Sequence, residues 1–377
     1  MMTDAQGAAS GDQFDPFRQS SKHELLAMQY DDLSYILKRT VFDAGRSDRS
    51  YAPPPSPGVG RHFVRGNASP TRLEGNRLYF IAFQQEDNLH ALHRIRRELE
   101  AMPGAVPMVE WTKTQQLAYW LNLYNVTLIE RMMRDYPVTN VRKLLYGAGG
   151  LLDEKLLTVA GVELSLNDIH HRILIPNWQD PLIMYGLFHG YVGSPNIRKE
   201  AYTAQNVYEM LRENAAEFIN SNRGMVRDGA GLRVAELYAI NRALFPKWPT
   251  DLKRHLEAFA SVDYVPTVRN ANVIRPDADD YYIADLFQGV THDINPNEGN
   301  VAGIVTSLPG LGSGEAGMFA DFIIATSRTA SGFNFPPHVQ EYVIDIREKF
   351  SRREGKVEVE EYDEPTTTTT PEEAPQP

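Results

Sequence analysis

The chain contains no cysteine. Disulfides, thiolate metal sites and a cysteine nucleophile are therefore all excluded, although compartment is not, because a cysteine-free chain suits either redox environment. Uninterrupted apolar runs long enough to span a bilayer are missing as well, so no transmembrane segment is expected. A basic excess is also lacking: 38 Lys and Arg stand against 49 Asp and Glu, for a formal net charge of −11. That balance argues against a nucleic-acid partner, which needs a basic footprint. Part of the acid sits after Phe350, where Glu358, Glu360, Glu361, Asp363, Glu364, Glu372 and Glu373 outnumber the bases. The opening "MMTDAQGAASGDQFDPFRQ" has neither a basic n-region nor an apolar h-region, so a cytoplasmic location is the expectation. No repeat of fixed period is visible.

What is present fits a globular protein of 377 residues, 42% hydrophobic and 23% charged. Residues 1–22 are polar and rich in Gly, Ala and Ser, and are expected to be a disordered N-terminus. Residues 23–109 read as a helical and hairpin region. It contains a helical pattern from Glu24 to Val41, the Pro-rich connector "YAPPPSPGVG", a strand–turn element in "TRLEGNRLYFIAF", and a solvated surface helix from Gln85 to Met102. Residues 110–262 form the core domain. Within it, "TKTQQLAYWLNLYNVTLIERMMRDYP" predicts a helix capped by Thr112, closed before Pro137 and apolar on nearly every side, hence central. "KLLTVAGVELSLNDIHHRIL" reads as two short strands about Ala160-Gly161, then a helix capped at Ser165 with Asp168 at the box position. "DPLIMYGLF" has the length of a buried strand, and helices are expected after "SPNIRKEAYT" and over "TDLKRHLEAFA". Residues 263–350 are expected to form a looser, irregular C-terminal extension packed against the core, with helices near Phe319–Thr326 and His338–Phe350. Residues 351–377 are an acidic, Thr/Pro-rich disordered tail. The fold class expected is α+β: a mainly helical core with a small sheet, an irregular C-terminal extension and disordered termini.

Several side chains stand out chemically. Asn122 and Asn125 share one face of an otherwise apolar helix, and buried amides demand hydrogen-bond partners. They either orient a ligand or catalytic group, or pin neighbouring loops through their backbone. Asp168 and Asn167 lie three and four residues before His171, and a carboxylate beside an imidazole raises its basicity, as a general base requires. A satisfied core histidine is the plain alternative for His171. His170 is expected to point away and to be the more exposed of the pair. No His-x-x-x-His pair is present, so neither a metal nor another cofactor is expected. In "HGYVGSP", Ser194 lacks a Gly-x-Ser-x-Gly elbow. As a nucleophile it needs a base, for which His189 and His171 are the candidates, whereas serine as a turn residue is far commoner. Arg198, shortly after this loop, joins the candidate binding residues. The Gly312, Gly314 and Gly317 pattern in "GLGSGEAG" reads as a linker rather than a dinucleotide site, because no βαβ unit surrounds it. "DINPNEGN" matches a calcium loop only loosely.

The landmarks "AYWLNLYN", "YPV", "LSLNDIHHRIL", "DPLIMYGLF" and "SPNIRKEAYT", in that order, resemble the family called domain of unknown function 547. The resemblance runs from about Trp111 to Ala258. Many members follow the apolar run with Cys-Gly-x-x-Ser-Cys-Pro; here His189-Gly190 and Ser194-Pro195 stand at those positions. Members are commonly exported bacterial proteins, so the resemblance implies a periplasmic or secreted location as the alternative to a cytoplasmic one. It implies a scaffold and no mechanism. The expected cleft is lined by Asn122, Asn125, Asp168, His171, His189 and Ser194. Two functions remain open for it: a noncatalytic module binding a small molecule or peptide, and a hydrolase-like or transferase-like enzyme using His171 as base. Oligomeric state is not legible.

Overall fold

The computed structural model describes residues 12–54, 67–290 and 337–354. In chain order its first elements are α1 (Asp31–Thr40), β1 (Val41–Phe42), β2 (Arg77–Leu78), α2 (Glu86–Ala105) and α3 (Lys113–Met133). Helix α3 organises the rest. Every residue from Gln115 to Glu130 is buried, as expected of a helix apolar all round. Its start is fixed by a capping box in which the Gln115 amide donates to Thr112 Oγ1 at 3.2 Å and the Thr112 amide donates to Gln115 Oε1 at 2.8 Å. Around it run α4 (Arg142–Tyr146), the hairpin β3 (Leu157–Val159) and β4 (Val162–Leu164), a π-helical turn (Asp168–Leu174) continuing into α5 (Ile175–Trp178), and α6 (Val207–Ile219). A second hairpin, β5 (Met225–Asp228) and β6 (Gly231–Ala235), is followed by α7 (Leu237–Ile240), α8 (Thr250–Phe259), α9 (Val265–Asn270), β7 (Ile274–Ala278) and α10 (Pro337–Glu354).

The sheets are small, as the α+β expectation required. β1 pairs β2 and β3 pairs β4, both antiparallel; β6 lies between antiparallel β5 and parallel β7. Pro276 is tolerated in β7 because that strand is an edge. The β3–β4 turn contains only Ala160 and Gly161, with φ of 49° and 80°, the left-handed pair that a type I′ hairpin requires.

Two expectations need correction. "DPLIMYGLF" is not a strand: Pro181–Gly186 is a 3-10 helix, with the Asp180 carboxylate accepting from the Leu182 amide. A short apolar run does not distinguish a buried strand from a buried helical turn. Helix α2 is a surface helix, as expected, with Leu92, Ile95, Arg96, Leu99 and Glu100 on its buried face. The stretch assigned to the disordered N-terminus includes, from residue 12 on, Phe14 and Phe17, which are 1% and 0% exposed. Phe17 packs edge-on against Trp120 with ring centroids 5.1 Å apart. The C-terminal extension is irregular and packs against the core, as expected. Its segment around Ile283–Phe287 is buried and threads between Leu78 and Gly190, with the Leu286 amide donating to Leu78 O and the Ala284 amide to Gly190 O, each at 2.9 Å. Helix α10 adds Val339, Tyr342 and Ile346 to the core and an Arg72–Asp345 ion pair at 2.5 Å. The expected helix at Phe319–Thr326, "GLGSGEAG", "DINPNEGN" and the tail from residue 355 lie outside the described residues.

Candidate functional site

The loop "HGYVGSP" leaves the 3-10 turn beside α3 and is held on all sides. Gly190 adopts φ +78°, and a Cβ there would lie 2.4 Å from Met132 Sδ; only glycine meets both conditions. Val192 and Gly193 donate to Tyr282 O and Asp280 O at 2.8 and 2.9 Å, so the C-terminal segment covers the loop.

Both asparagines of α3 serve this loop and the one after it. Asn125 Nδ2 donates to Gly186 O at 2.9 Å, and its Oδ1 accepts from the Phe188 amide at 2.9 Å. Asn122 treats Tyr202 in the same way, donating to its carbonyl at 2.8 Å and accepting from its amide at 2.9 Å. Each amide thus replaces a strand partner for an irregular backbone, the loop-pinning alternative raised by the sequence. Ser194 is 1% exposed, and its hydroxyl donates to Tyr191 O at 2.7 Å. Its hydrogen bonds include no imidazole. Asp168 is likewise engaged: its Oδ2 accepts from the Ser165 amide at 2.8 Å and from Ser165 Oγ at 2.9 Å, and pairs with Lys155. Burial raises its pKa, but the Lys155 ammonium and the Ser165 donors outweigh that and hold it below the usual carboxylate value. It is therefore a capping carboxylate rather than a partner of His171. Asn167 turns to Asp153 at 2.7 Å, and Arg198 pairs with Glu213 and reaches Asn214 Oδ1 at 3.3 Å.

The histidines are arranged differently from the helical-wheel expectation. His170 is the buried one, 2% exposed, with Nε2 2.7 Å from Asn241 Oδ1. His171 is half-buried, its ring stacked on His170 with centroids 4.1 Å apart and planes 26° apart. His171 makes no hydrogen bond with any described residue. The π-helical turn explains the exchange of roles, because the wider turn rotates each side chain away from its α-helical direction. His189 is 1% exposed and shares a hydrogen bond with Tyr124 Oη at 3.2 Å through Nδ1, while Nε2 has no partner. Its ring lies 6.1 Å from that of His170, so the three imidazoles form one cluster running inward from the surface.

Burial sets the charge state of this cluster. It pushes His189 down to about 3, with the neighbouring His171 adding to the effect. His170 is held well below its ordinary value by burial and then by His171 and His189. Burial lowers His171 as well, opposed by the Asp153 carboxylate. All three are neutral at pH 7, with the His170 and His171 rings stacked and the His189 ring tilted by 50° from that of His170. No group of three or more His, Cys, Asp or Glu that could hold a metal ion occurs among the described residues.

Sequence reasoning missed several residues that build this region. Arg223, with a fully buried side chain, donates to Asn196 Oδ1 at 2.9 Å and pairs with Glu217 and the Ser194 carbonyl. Asn214 Nδ2 donates to Tyr185 O and Asn196 O at 2.8 and 2.9 Å. The only available signal was compositional: an asparagine on the buried face of a helix, as at Asn214, announces a backbone partner somewhere else in the chain.

No helix among the described residues is long and apolar enough to cross a membrane. No curated protein and no solved structure matches the chain. From the turn at Met108 to the end of α6, residues 108–219 match the model of a family described as Protein of unknown function, DUF547, here in a chain without cysteine.

Proposed function

We propose that this chain is a noncatalytic binding module whose ligand, a small molecule or a peptide group, meets the protein at His171. The observation that carries this reading is the contrast between His171 and its neighbours. Asn122, Asn125, Asp168 and Ser194 are engaged in holding backbone or capping a helix, while His171 is half-buried and without a hydrogen-bond partner among the described residues. A neutral imidazole offers a ligand one N–H donor and one acceptor nitrogen. Stacking on His170 fixes the orientation of the ring, which reduces the entropy lost on binding.

General-base catalysis by His171 has one point in its favour: the lowered pKa leaves the ring unprotonated at neutral pH. Against it stands the engagement of Asp168 and Ser194, the two groups that a triad-like arrangement would use. The test is a thermal-shift screen of the purified chain against metabolites, peptides and cell-wall fragments, repeated on His171→Ala. The reading requires a stabilising compound whose shift disappears in the variant and which is recovered unchanged after incubation. A compound that is converted, with conversion lost in His171→Ala, overturns it in favour of the enzyme.

A further inference from the structure

A cavity of about 290 Å³ lies between α1 and α2, remote in sequence from the histidine cluster. Its apolar lining includes Ile36, Phe83 and Ile95, and two guanidiniums, Arg39 and Arg94, stand at it. We propose that this groove binds an amphipathic carboxylate: a molecule with one anionic head, set against Arg39 and Arg94, and an apolar tail lying over Ile36 and Ile95. This site is independent of the one proposed at His171.

The volume sits at the lower end of the range of about 300–1,000 Å³ typical of small-molecule sites, and such sites combine an apolar lining with a few polar groups. On α1, Asp32, Ile36 and Arg39 are separated by four and three residues, so they form one stripe facing the cavity. Arg39 is held in place: its guanidinium lies 3.4 Å from the Tyr35 ring centroid and donates to Tyr35 O at 3.3 Å. Among the described residues Arg94 has a single loose ion pair, with Glu98 at 3.8 Å, and both side chains are more than 60% exposed.

Charge also orients the occupant. Asp32 precedes Arg39 by seven residues, about 10 Å along the helix axis. An adjoining cavity of about 280 Å³ shares Asp32 and Ile95 and is lined further by Asp31 and Glu98. Along α1 the groove therefore runs from Asp32, which repels an anion, to Arg39, which attracts one, while Arg94 reaches it from α2. A cationic or neutral head of the same size lacks the charge-assisted hydrogen bonds available at the arginine end.

The test is calorimetric titration of the full chain with sodium octanoate below its micellar concentration, beside octan-1-ol and octylammonium chloride. Octanoate should bind saturably at one site, at least tenfold more tightly than either control. Hexanoate should bind more weakly by up to about fourfold for each methylene removed. Arg39→Gln and Arg94→Gln should each weaken octanoate about tenfold or more, and Glu98→Gln, which frees Arg94, should strengthen it. Ala91→Trp, at a partly exposed position lining the cavity, should abolish binding with the melting temperature unchanged, and His171→Ala should leave binding intact. The proposal is overturned if octanoate fails to bind, binds no better than octan-1-ol, or binds Ala91→Trp and the arginine variants as it binds the parent. Loss in His171→Ala would overturn the independence of the two sites.

Discussion

The side-chain amide of Asn125 spans the backbone from Gly186 to Phe188, donating to one end and accepting from the other, both at 2.9 Å. Neither backbone group has a strand neighbour to replace it, and Asn125 is 7% exposed. Asn125→Leu removes both bonds and leaves a buried carbonyl and a buried amide unpaired, each worth about 1–3 kcal/mol. The expected loss is about 2–5 kcal/mol in urea denaturation. Asn125→Asp keeps an acceptor for Phe188 but sets a carboxylate against the Gly186 carbonyl, and should be at least as damaging. A variant as stable as the parent would mean that the loop holds itself.

The sequence made the residue types of this region legible and left their partners hidden. Helix α3, its Thr112 cap and the Ser165–Asp168 box are local features, decided within a few residues, and all are present. The Ala160-Gly161 hairpin is local too. By contrast, Asn122 and Asn125 meet backbone 80 and 61 residues away, and no periodicity encodes such distances. The exchange between His170 and His171 has another origin: a helical wheel assumes an α-helix, and Asp168–Leu174 is π-helical. The coverage of "HGYVGSP" by residues 280–284 depends on a segment whose Pro, Gly and Asp content reads as loop. Such content describes local geometry and is silent on burial.

Acid should destabilise the fold through its histidines. His189 is pushed down to about 3 and His255 to about 4, both by burial, and His170 is lowered as well. In the unfolded chain these imidazoles titrate near 6.5, so below that pH the unfolded state binds more protons and stability rises with pH. Each such group contributes up to about 1.4 kcal/mol per pH unit, with stability fully present above about 6.5 and lost as pH falls. Asp285 acts in the opposite sense: burial raises it to about 6, so the folded state takes up a proton first. Several histidines outweigh that one carboxyl. Urea midpoints at pH 7.5, 6.0 and 5.0 should fall steadily, and His189→Phe should flatten the slope. An unchanged slope in His189→Phe would show that this imidazole titrates alike in both states.

The β3–β4 turn stores removable strain. Ala160 has φ 49°, a conformation costing a residue with Cβ about 1–2 kcal/mol, and asparagine tolerates it best among residues with longer side chains. A Cβ-bearing residue has open space here, since position 160 is exposed. Ala160→Asn should raise stability by about 0.5–1 kcal/mol, read as a small increase in melting temperature with no change in ligand binding. Ala160→Val, β-branched at the same φ, should lower it.

The contact between α2 and α3 includes a guanidinium set between two carboxylates. Arg96 Nε meets Glu130 at 2.5 Å and its terminal nitrogen meets Glu100 at 2.8 Å, with all three side chains no more than 10% exposed. Glu100 also accepts from the Thr158 amide at 3.0 Å and Glu130 contacts His93 at 3.0 Å, so the cluster ties both helices to β3. Arg96→Met leaves two buried carboxylates without their shared cation, and the expected loss is about 3–5 kcal/mol. Urea is the denaturant to use, since guanidinium salts would screen the exposed charges around the cluster. The triple change Arg96→Met, Glu100→Gln, Glu130→Gln removes the charges together and should restore most of that stability. Recovery in the triple variant would assign the cluster to specifying how α2 sits on α3 rather than to net stabilisation. Failure to recover would show instead that the Thr158 and His93 hydrogen bonds, which are stronger to ionised carboxylates than to amide oxygens, hold the hairpin in place.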